Sequence, residues 1–464
     1  MRNCRSLRGR LRVRGIRGQA MGCKVKWILV AMVAGIAMAA AAQQPTAGTD
    51  GTVTAAPVVI KAGRILDVRT GAFLEHVFVT VTGGRITSIG TSTSTTGAEV
   101  IDLSGQTLLP GLIDCHEHVL GNLADWSPMS ELRMSSPMKA LWGVRNLQVW
   151  LREGFTTLRD AGESDPSYGQ IALRNAIKQG LIQGPRILSA GMFISLTGGH
   201  GDVSSLAPEW ELPRQPNIAD SVDDVDSAVR RDIKFGADWI KLMASGGVTD
   251  PLSDASAQEL SGEQMAEAVA VAHRAHKKVM AHAHALAGIR AAVEAGVDSI
   301  EHGSVLDDDT AALMSKKGTW LIPTFYIQEH MLADGIKQGL TLYSIEKERN
   351  VIAQKRATFP LALKHHVRIA FGVDDQPEAS PKEFDAMVRA GMTPLQAIQA
   401  ATVNGAELLG LTADLGTLES GKIADIVAVP GDPTQDVRLL EHVTFVMKSG
   451  VVIKNESQAA HATP

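Results

Sequence analysis

Two histidines stand one residue apart directly after an apolar run, in "LLPGLIDCHEHVLG". Side chains of a strand alternate between its two faces, so we expect Asp114, His116 and His118 on one face and Cys115 and Glu117 on the other. Two imidazoles on one face can bind the same metal ion, with Asp114 behind them as a carboxylate that orients the rings. Taken alone, however, such a pair is equally typical of surface or packing histidines.

Further residues of ligand type lie in other apolar segments of the chain. His282 lies in "VMAHAH", His302 in "SIEHG", Asp374 in "FGVDD" and Lys241 in "WIKLMASGG". Together with the first pair, these residues occupy five separate segments, each with the composition of a strand. One shared metal site explains this coincidence better than five unrelated packing residues do.

Lys241 differs from the other candidate ligands because an ammonium group has no lone pair and repels metal ions. A lysine buried beside two divalent cations loses its proton more readily. Reaction with CO₂ would then give a carbamate, an anionic group that can bridge two ions. The alternative is a lysine of the protein interior paired with an acid, and without the histidines this alternative would be favoured.

The segment between Gln106 and Leu411 alternates short apolar strands with amphipathic helices, a pattern typical of a parallel sheet wrapped by helices. Eight strands are predicted: "TLLPGLIDC", "TTLRDAG", "RILSAG", "WIKLMAS", "KVMAHAH", "DSIEHG", "WLIPTF" and "VRIAFGVD". We therefore predict an α/β protein with a (β/α)₈ TIM barrel over residues 106–411 and its chemistry at the C-terminal ends of the strands. The alternative, an open doubly wound sheet, usually carries a glycine-rich motif after its first strand, where this chain has "HEH".

Short β-type runs flank the barrel segment at both ends of the chain. We expect residues 57–105 and 412–455 to form one small β-sandwich. The chain begins with an arginine-rich stretch, and from Met21 onwards it resembles a secretory signal peptide, with a basic start, an apolar run and a small-residue cleavage site. The remaining boundaries are a signal peptide at 1–42, a flexible leader at 43–56 and a tail at 456–464. A secreted or periplasmic protein without a membrane span is expected after cleavage.

Removal of the signal peptide changes the charge and the cysteine content. The formal net charge is -5, and the loss of nine positive charges with Met1–Ala42 would give -14. An acidic protein is a poor partner for nucleic acid, so we expect none. Cys4 and Cys23 lie in the removed segment, and Cys115 alone would remain. An intramolecular disulfide is therefore excluded for the processed chain.

The chain resembles the metal-dependent amidohydrolase superfamily, in the branch of imidazolonepropionase-like enzymes, Xaa-Pro dipeptidases and ochratoxinase-type amidases. The resemblance rests on "GLIDCHEH", "TTLRDAG", "TGGHGD", "IKLMASGG", "MAHAH", "AGVDSIEHG", "FGVDD" and "GKIADIVAV", which together span nearly all of the processed chain. It implies two divalent metal ions at the barrel mouth, with zinc suited to the ligands and manganese or cobalt able to replace it. The implied ligands are His116, His118, carboxylated Lys241, His282, His302 and Asp374.

The resemblance also implies a mechanism. Two ions that share a hydroxide lower the pKa of bound water from ~15.7 towards ~7 and so provide a nucleophile at neutral pH. The expected ligands are His116, His118 and Asp374 for the more buried ion and His282 and His302 for the other, with Lys241 as the bridge. Asp374 would accept the proton of the hydroxide and pass it to the leaving nitrogen. The less buried ion would polarise the scissile carbonyl.

Three residues are candidates for contact with a substrate. His200, in "SLTGGHGD", is predicted to be catalytic by hydrogen bonding the substrate carbonyl or the oxyanion. His284 and Tyr326 are candidate substrate contacts, and ordinary packing at the barrel mouth is an equal alternative for both. Asp160 either braces the site or caps a helix. Metal binding is not expected for the pairs His273 and His276 or His365 and His366.

The predicted reaction is hydrolysis of an amide or peptide bond in a small molecule. An N-acyl amino acid, an Xaa-Pro dipeptide or an ochratoxin-like amide is the expected substrate, and this preference rests on the resemblance. A long segment before the fourth strand and another from Tyr326 towards Tyr343 would select it. Alternatives on the same site are a cyclic amide, a lactone or a phosphotriester. A non-catalytic binding protein of this family would have lost some of the ligands. A homo-oligomer is expected because the family often forms symmetric oligomers.

Overall fold

The computed structural model describes residues 56–203, 206–207, 209–210, 213–250 and 252–456. The predicted signal peptide, the leader up to residue 55 and the tail from residue 457 lie outside the described residues. No helix within the described ranges is long and apolar enough to cross a bilayer.

The secondary structure alternates strands and helices through the central part of the chain. The strands of the described residues are β1 Val58–Leu66, β2 Phe73–Thr82, β3 Arg85–Gly90, β4 Glu99–Pro110, β5 Leu112–Glu117, β6 Phe155–Asp160, β7 Arg186–Ser189, β8 Trp239–Met243, β9 Lys278–Ala283, β10 Ser299–His302, β11 Trp320–Ile322, β12 Arg368–Ile369, β13 Ile426–Pro430, β14 Phe445–Lys448 and β15 Val451–Asn455. Their helices are α1 Ser130–Arg133, α2 Ser136–Arg152, α3 Gly169–Lys178, α4 Val222–Phe235, α5 Gly262–Arg274, α6 Leu286–Ala295, α7 Asp308–Lys317, α8 Phe325–Asp334, α9 Leu342–Lys364, α10 Glu383–Arg389, α11 Pro394–Gln399 and α12 Gly405–Leu409. Short 3₁₀ helices lie at Pro377–Lys382 and Val437–His442, and a π-helical turn at Ala400–Asn404 joins α11 to α12.

Eight parallel strands, β5 to β12, follow one another in chain order around a closed ring. Strands β5 to β7 form one hydrogen-bonded sheet and β8 to β12 form another. A parallel bridge between Ala190 and Trp239 joins β7 to β8. The ring closes where the Cys115 amide donates to the Phe371 carbonyl at 2.8 Å. The predicted TIM barrel is therefore confirmed, and the open doubly wound sheet is excluded by the order and closure of the strands.

Local sequence signals position the helices that surround the barrel. The acidic segment at the start of α4 begins the helix, because Ser221 and Asp224 form a reciprocal capping box. Ser261 and Gln264 cap α5 in the same way. The buried face of α5 includes Met265, which belongs to the main apolar core of the barrel. Capping and one-sided apolar patterning together fix each helix against the strands.

The outer sheet is built from both ends of the described chain, as predicted. Its seven strands run in the order β15, β14, β13, β4, β1, β2, β3. Along β13, Ile426 and Ala428 belong to a core within the sheet, whereas Val427 and Val429 pack with the barrel core. Side chains of β3 and β14 also meet in the core within the sheet, so the continuous sheet curls around this core. The alternation of apolar side chains thus serves two cores at once.

The boundary between the outer sheet and the barrel lies later than predicted. Strand β4 continues to Pro110, and Leu109 pairs with Val427 of β13. The predicted first barrel strand, "TLLPGLIDC", is therefore divided at Gly111, and residues 106–110 belong to the outer sheet. The prediction was wrong here because the apolar run is continuous, so its pattern does not show that the chain leaves one sheet for another.

Gly111 is expected to be intolerant of a side chain. A Cβ at this position would lie 2.3 Å from the Thr156 Oγ1 and 2.8 Å from its Cγ2, so rotation of Thr156 does not relieve the clash. We predict that Gly111→Ala lowers the free energy of unfolding by about 1–3 kcal/mol, measured by urea denaturation. Gly105→Ala is the matched control on β4, because a Cβ there meets nothing within 4 Å. Equal stability of the two variants would contradict the close packing at this junction.

Candidate metal centre

The six predicted ligands surround a single pocket at the C-terminal ends of the barrel strands. The pocket has about 480 Å³ of empty space, part of it open to solvent. The predicted residues that line it are His116, His118, His200, Lys241, His282, His284, His302 and Asp374. The barrel thus brings together side chains that are up to 258 positions apart in the sequence, from His116 to Asp374.

His116 is oriented by a buried acid that the sequence interpretation missed. Its Nδ1 lies 2.6 Å from the Oε2 of Glu301, and the Arg159 Nη2 donates to both oxygens of that carboxylate at 2.9 and 3.0 Å. Although burial opposes ionisation, Arg159 and His116 lower the pKa of Glu301 to about 2. An ionised carboxylate only accepts, so Nδ1 of His116 carries the hydrogen. The Nε2 then has a free lone pair, and it is buried without a hydrogen-bond partner among the described residues.

Asp114 does not orient the imidazoles, which corrects the prediction. Its Oδ1 accepts the backbone N–H of His116 at 2.9 Å. The pairing of β5 with β6 is irregular between Asp114 and Glu117. This bulge breaks the strict alternation of faces that the prediction assumed. Asp114 and Glu117 therefore interact, although they were expected on opposite faces of the strand. Burial raises the pKa of Asp114 to about 7.

His118 and Asp374 complete the first group of candidate ligands. The Asp374 Oδ1 lies 3.6 Å from Nε2 of His116 and 3.5 Å from Nε2 of His118. The Nδ1 of His118 lies 2.5 Å from the carbonyl oxygen of Gly162, which leaves Nε2 towards the aspartate. One potential ligand atom from each of the three residues lies within 4.8 Å of the others. This spacing suits a shared divalent ion.

A second group comprises three histidines on the opposite side of the pocket. The ligand atoms of His282, His284 and His302 also lie within 4.8 Å of one another. The His302 Nδ1 lies 2.8 Å from the Thr324 Oγ1, and the His284 Nδ1 lies 2.7 Å from the Ser304 Oγ. These hydroxyls fix the orientation of two rings. The structure therefore adds His284, predicted as a substrate contact, to the candidate ligands of the second ion.

Lys241 lies in the same pocket as both groups. Its side chain is buried, and burial lowers the pKa of its ammonium to about 8, although the charges of Glu301 and Asp374 oppose the shift. A neutral amine is therefore much more accessible here than on an exposed lysine. The donor set of imidazoles, one carboxylate and a readily deprotonated lysine, with the unpartnered His116 Nε2, fits two divalent ions.

His200, predicted from the sequence as a substrate contact, lines the pocket next to the second group. Its ring centre lies 4.5 Å from that of His282, and its backbone N–H donates to the Glu259 carboxylate at 2.9 and 3.0 Å. Burial lowers the pKa of His200 to about 4, so its ring is neutral at neutral pH. A Cβ on Gly247 would lie 2.2 Å from this ring. The paired glycines of "MASGG" therefore make room for His200, a use that the sequence interpretation did not foresee.

Other predicted residues lie outside the pocket lining. Tyr326 is not part of it, and its hydroxyl accepts from the Nζ of Lys382 at 3.0 Å. The segment from Tyr326 towards Tyr343, which was expected to select the substrate, is mostly helical because it contains α8. Asp160 accepts from the Ser189 hydroxyl at 2.7 Å, and one of its oxygens lies within 4.8 Å of a ring nitrogen of His118. It therefore lies beside the site and does not cap α3, whose N-cap residue is Tyr168.

The histidine pairs that were not expected to bind metal are placed away from the cluster. His273 lies 2.9 Å from Asp298 and His365 lies 3.0 Å from Asp308. Neither pair belongs to a group of metal-ligand geometry within the described parts of the chain.

Helices α8 and α9 supply pocket residues that sequence reasoning missed. Gln328 and Met331 of α8 and Glu348 of α9 line the pocket. No short motif contains them, and their helices have no strand-end position to signal a role. A charged residue among apolar ones in a buried strand, as with Glu301, was the available signal for the missed orienting acid.

The chain is similar to known proteins in both its sequence and its fold. The sequence profile described as the amidohydrolase family matches residues 107–454. The ochratoxinase of Aspergillus niger is 35% identical over 372 residues, which cover 75% of each chain. A Xaa-Pro dipeptidase with methionine bound in its active site has a TM-score of 0.80 and 33% identity over 85% of this chain and 99% of its own. A prolidase complexed with N-methylphosphonate-L-proline has a TM-score of 0.79 and 32% identity over 86% of this chain and 100% of its own.

Loss of the Glu301 charge should weaken both metal binding and folding. We predict that Glu301→Gln lowers metal affinity about 10- to 100-fold, because His116 loses the acceptor that fixes its ring. The variant also leaves Arg159 buried without its charge partner, which should lower the free energy of unfolding by about 3–5 kcal/mol. Chelator competition with elemental analysis and urea denaturation measure the two effects. Glu294→Gln, in an exposed pair with Arg290, is the control, and wild-type metal affinity in Glu301→Gln would contradict the orienting role.

Proposed function

The chain belongs to the amidohydrolase family, and we propose that it hydrolyses the amide bond of a small peptide-like substrate with two divalent metal ions. The family and its relatives make the protein a hydrolase that acts on C–N bonds. The observation that carries the finer proposal is the convergence of two ligand groups and Lys241 on one pocket.

The chain's own residues divide into two sets around the pocket. His116, His118 and Asp374 would hold one ion, and His282 and His302, with His284 beside them, would hold the other. Lys241, as a carbamate, would bridge the two. When bound, ions of the zinc type supply a water of lowered pKa and polarise the scissile carbonyl.

Asp374 is the proposed proton carrier. Its carboxylate lies within 4.0 Å of the ring nitrogens of His116, His118 and His302, so it stands between the two ligand groups. From this position it would take the proton of the attacking water and deliver it to the leaving nitrogen. Its side chain is 22% exposed, which leaves one side open to the substrate.

His200 is the proposed hydrogen-bond donor to the substrate carbonyl. A neutral imidazole carries one N–H, and the Nδ1 of His200 is buried without a partner among the described residues. A donor held in a buried pocket stabilises an oxyanion more than one in water does. The ring is held by the backbone bond to Glu259 and by the close approach of Gly247.

The substrate proposed is an Xaa-Pro dipeptide or an N-acyl amino acid. Support comes from relatives at 32–33% identity whose structures are of a Xaa-Pro dipeptidase and a prolidase, and from the ochratoxinase relative. A non-catalytic binding protein would not need the complete set of candidate metal ligands.

Removal of the proton carrier should stop turnover. We predict that Asp374→Asn lowers kcat about 10²- to 10⁴-fold on every dipeptide or N-acyl amino acid that the wild type hydrolyses. The amide oxygen and the other ligands should retain much of the metal, so elemental analysis of the same preparation separates loss of chemistry from loss of ions. Asp309→Asn, exposed on α7, is the control. Full activity in Asp374→Asn would refute the assigned role.

The carbamate on Lys241 has a test of its own. We predict that Lys241→Ala loses bound metal and at least about 100-fold in kcat/KM, and that acetate or propionate restores part of both by replacing the missing carboxylate. In the wild type, ¹³CO₂ should give a carbamate carbon signal in NMR. Lys316→Ala, exposed on α7, should behave as wild type. Normal metal content in Lys241→Ala, or the absence of the carbamate signal, would contradict the bridge.

A further inference from the structure

One wall of the pocket carries four buried polar atoms without hydrogen-bond partners among the described residues. They are the two carboxylate oxygens of Glu348 and the amide nitrogen and oxygen of Gln328. Glu348 is 1% exposed and Gln328 is 3% exposed, and both line the pocket that contains the candidate metal ligands. Neither residue has a part in the hydrolytic step described above.

Such atoms are costly to bury. An unsatisfied buried donor or acceptor costs about 1–3 kcal/mol, and native proteins contain few of them. Gln328 is close enough to favour the ionised form of Glu348, yet no hydrogen bond of normal geometry forms between them. A hydrogen-bond donor group of a ligand that enters the pocket would satisfy the two oxygens of Glu348 and the amide oxygen of Gln328.

Glu348 is a buried acid whose ionised form depends on a neighbouring cation. Lys355 is the cation whose charge acts on Glu348, and it also acts on a second buried acid, Glu383. Glu383 is already satisfied, because it accepts the backbone N–H groups of Phe325 and Tyr326 at 2.9 and 2.5 Å. Two carboxylates thus share one ammonium, and burial raises the pKa of Glu348 to about 8. At neutral pH this carboxyl is therefore largely protonated when no ligand is bound, and a cation beside it would favour its ionised form.

We propose that Glu348 and Gln328 bind the free α-ammonium of an unblocked N-terminal residue, which selects dipeptides over N-acylated substrates. The three N–H donors of an ammonium match the two oxygens of Glu348 and the amide oxygen of Gln328. The α-ammonium is also the cation that every dipeptide holds one carbon away from its scissile carbonyl, so a single small pocket can contain both. Val248, Ile327 and Met331 line the same pocket and would pack against the side chain of that residue.

This inference rests on the proposed function, and a pair of substrates separates the two. Ala-Pro and Met-Pro are compared with their N-acetyl forms on the metal-loaded wild type, on Glu348→Gln and on Gln328→Met. Each variant serves as its own reference, because partial unfolding lowers the rates on both forms equally. Glu346→Gln is the matched control, since Glu346 is exposed on the same helix.

We expect the wild type to prefer the unblocked dipeptides by at least 10-fold in kcat/KM, chiefly through KM. Glu348→Gln should remove that preference, Gln328→Met should reduce it, and Glu346→Gln should leave it unchanged. Equal rates on blocked and unblocked forms in the wild type, or an equal loss on both in Glu348→Gln, would overturn the inference while the proposed function stands. If the wild type hydrolyses neither form, the proposed function fails for these substrates and the inference fails with it.

Discussion

The buried ion pair between Arg159 and Glu301 is the interaction on which the candidate metal centre depends. It joins β6 to β10 through the interior of the barrel, and Glu301 extends the connection to His116 on β5. The Arg159 Nε also donates to the Cys115 carbonyl at 2.5 Å, and its guanidinium lies 4.6 Å from the centre of the Trp239 ring. Burial of two charges is expensive, and a hydrophobic replacement would often be as stable. What the pair provides here is the orientation of one imidazole.

Backbone strain accompanies this orientation at the strand ends. His302, Thr324 and Asp374 have φ angles of 68°, 47° and 67°, a region that residues other than glycine rarely occupy. Each such residue costs of order 1–3 kcal/mol and persists only where its surroundings hold it. Two of the three are joined by the hydrogen bond between His302 and Thr324, and Asp374 donates its backbone N–H to the His116 carbonyl. Two of these residues, His302 and Asp374, line the pocket, so the unusual backbone conformation lies at the candidate ligands themselves.

The sequence predicted the barrel, and it predicted which side chains gather at the barrel mouth, because both leave local signals. A histidine at the end of a strand can be recognised from its own short segment. In a TIM barrel the C-terminal ends of all strands meet at one mouth, so these histidines are expected to lie together. The supporting contacts left no such signal. The bulge after Asp114 and the pairing of His116 with Glu301, 185 positions away, depend on tertiary packing. The positions of Tyr326 and Glu348 also depend on tertiary packing. The sequence does not show how the helix of Tyr326 is rotated, and the helix of Glu348 reaches the pocket only in the folded chain.

The outer sheet has a consequence for how the chain is made. Strand β4 precedes the barrel in the chain and pairs with β13, which follows the barrel. Gln106 of β4 can therefore pair with Pro430 of β13 only after the whole barrel has been synthesised. A ribosome therefore releases every barrel strand before that edge of β4 acquires its neighbour. Unpaired edges are templates for association with other chains. In a nascent polypeptide this edge is a natural point for chaperone protection, and loss of the last strands through premature termination would leave it permanently open to aggregation.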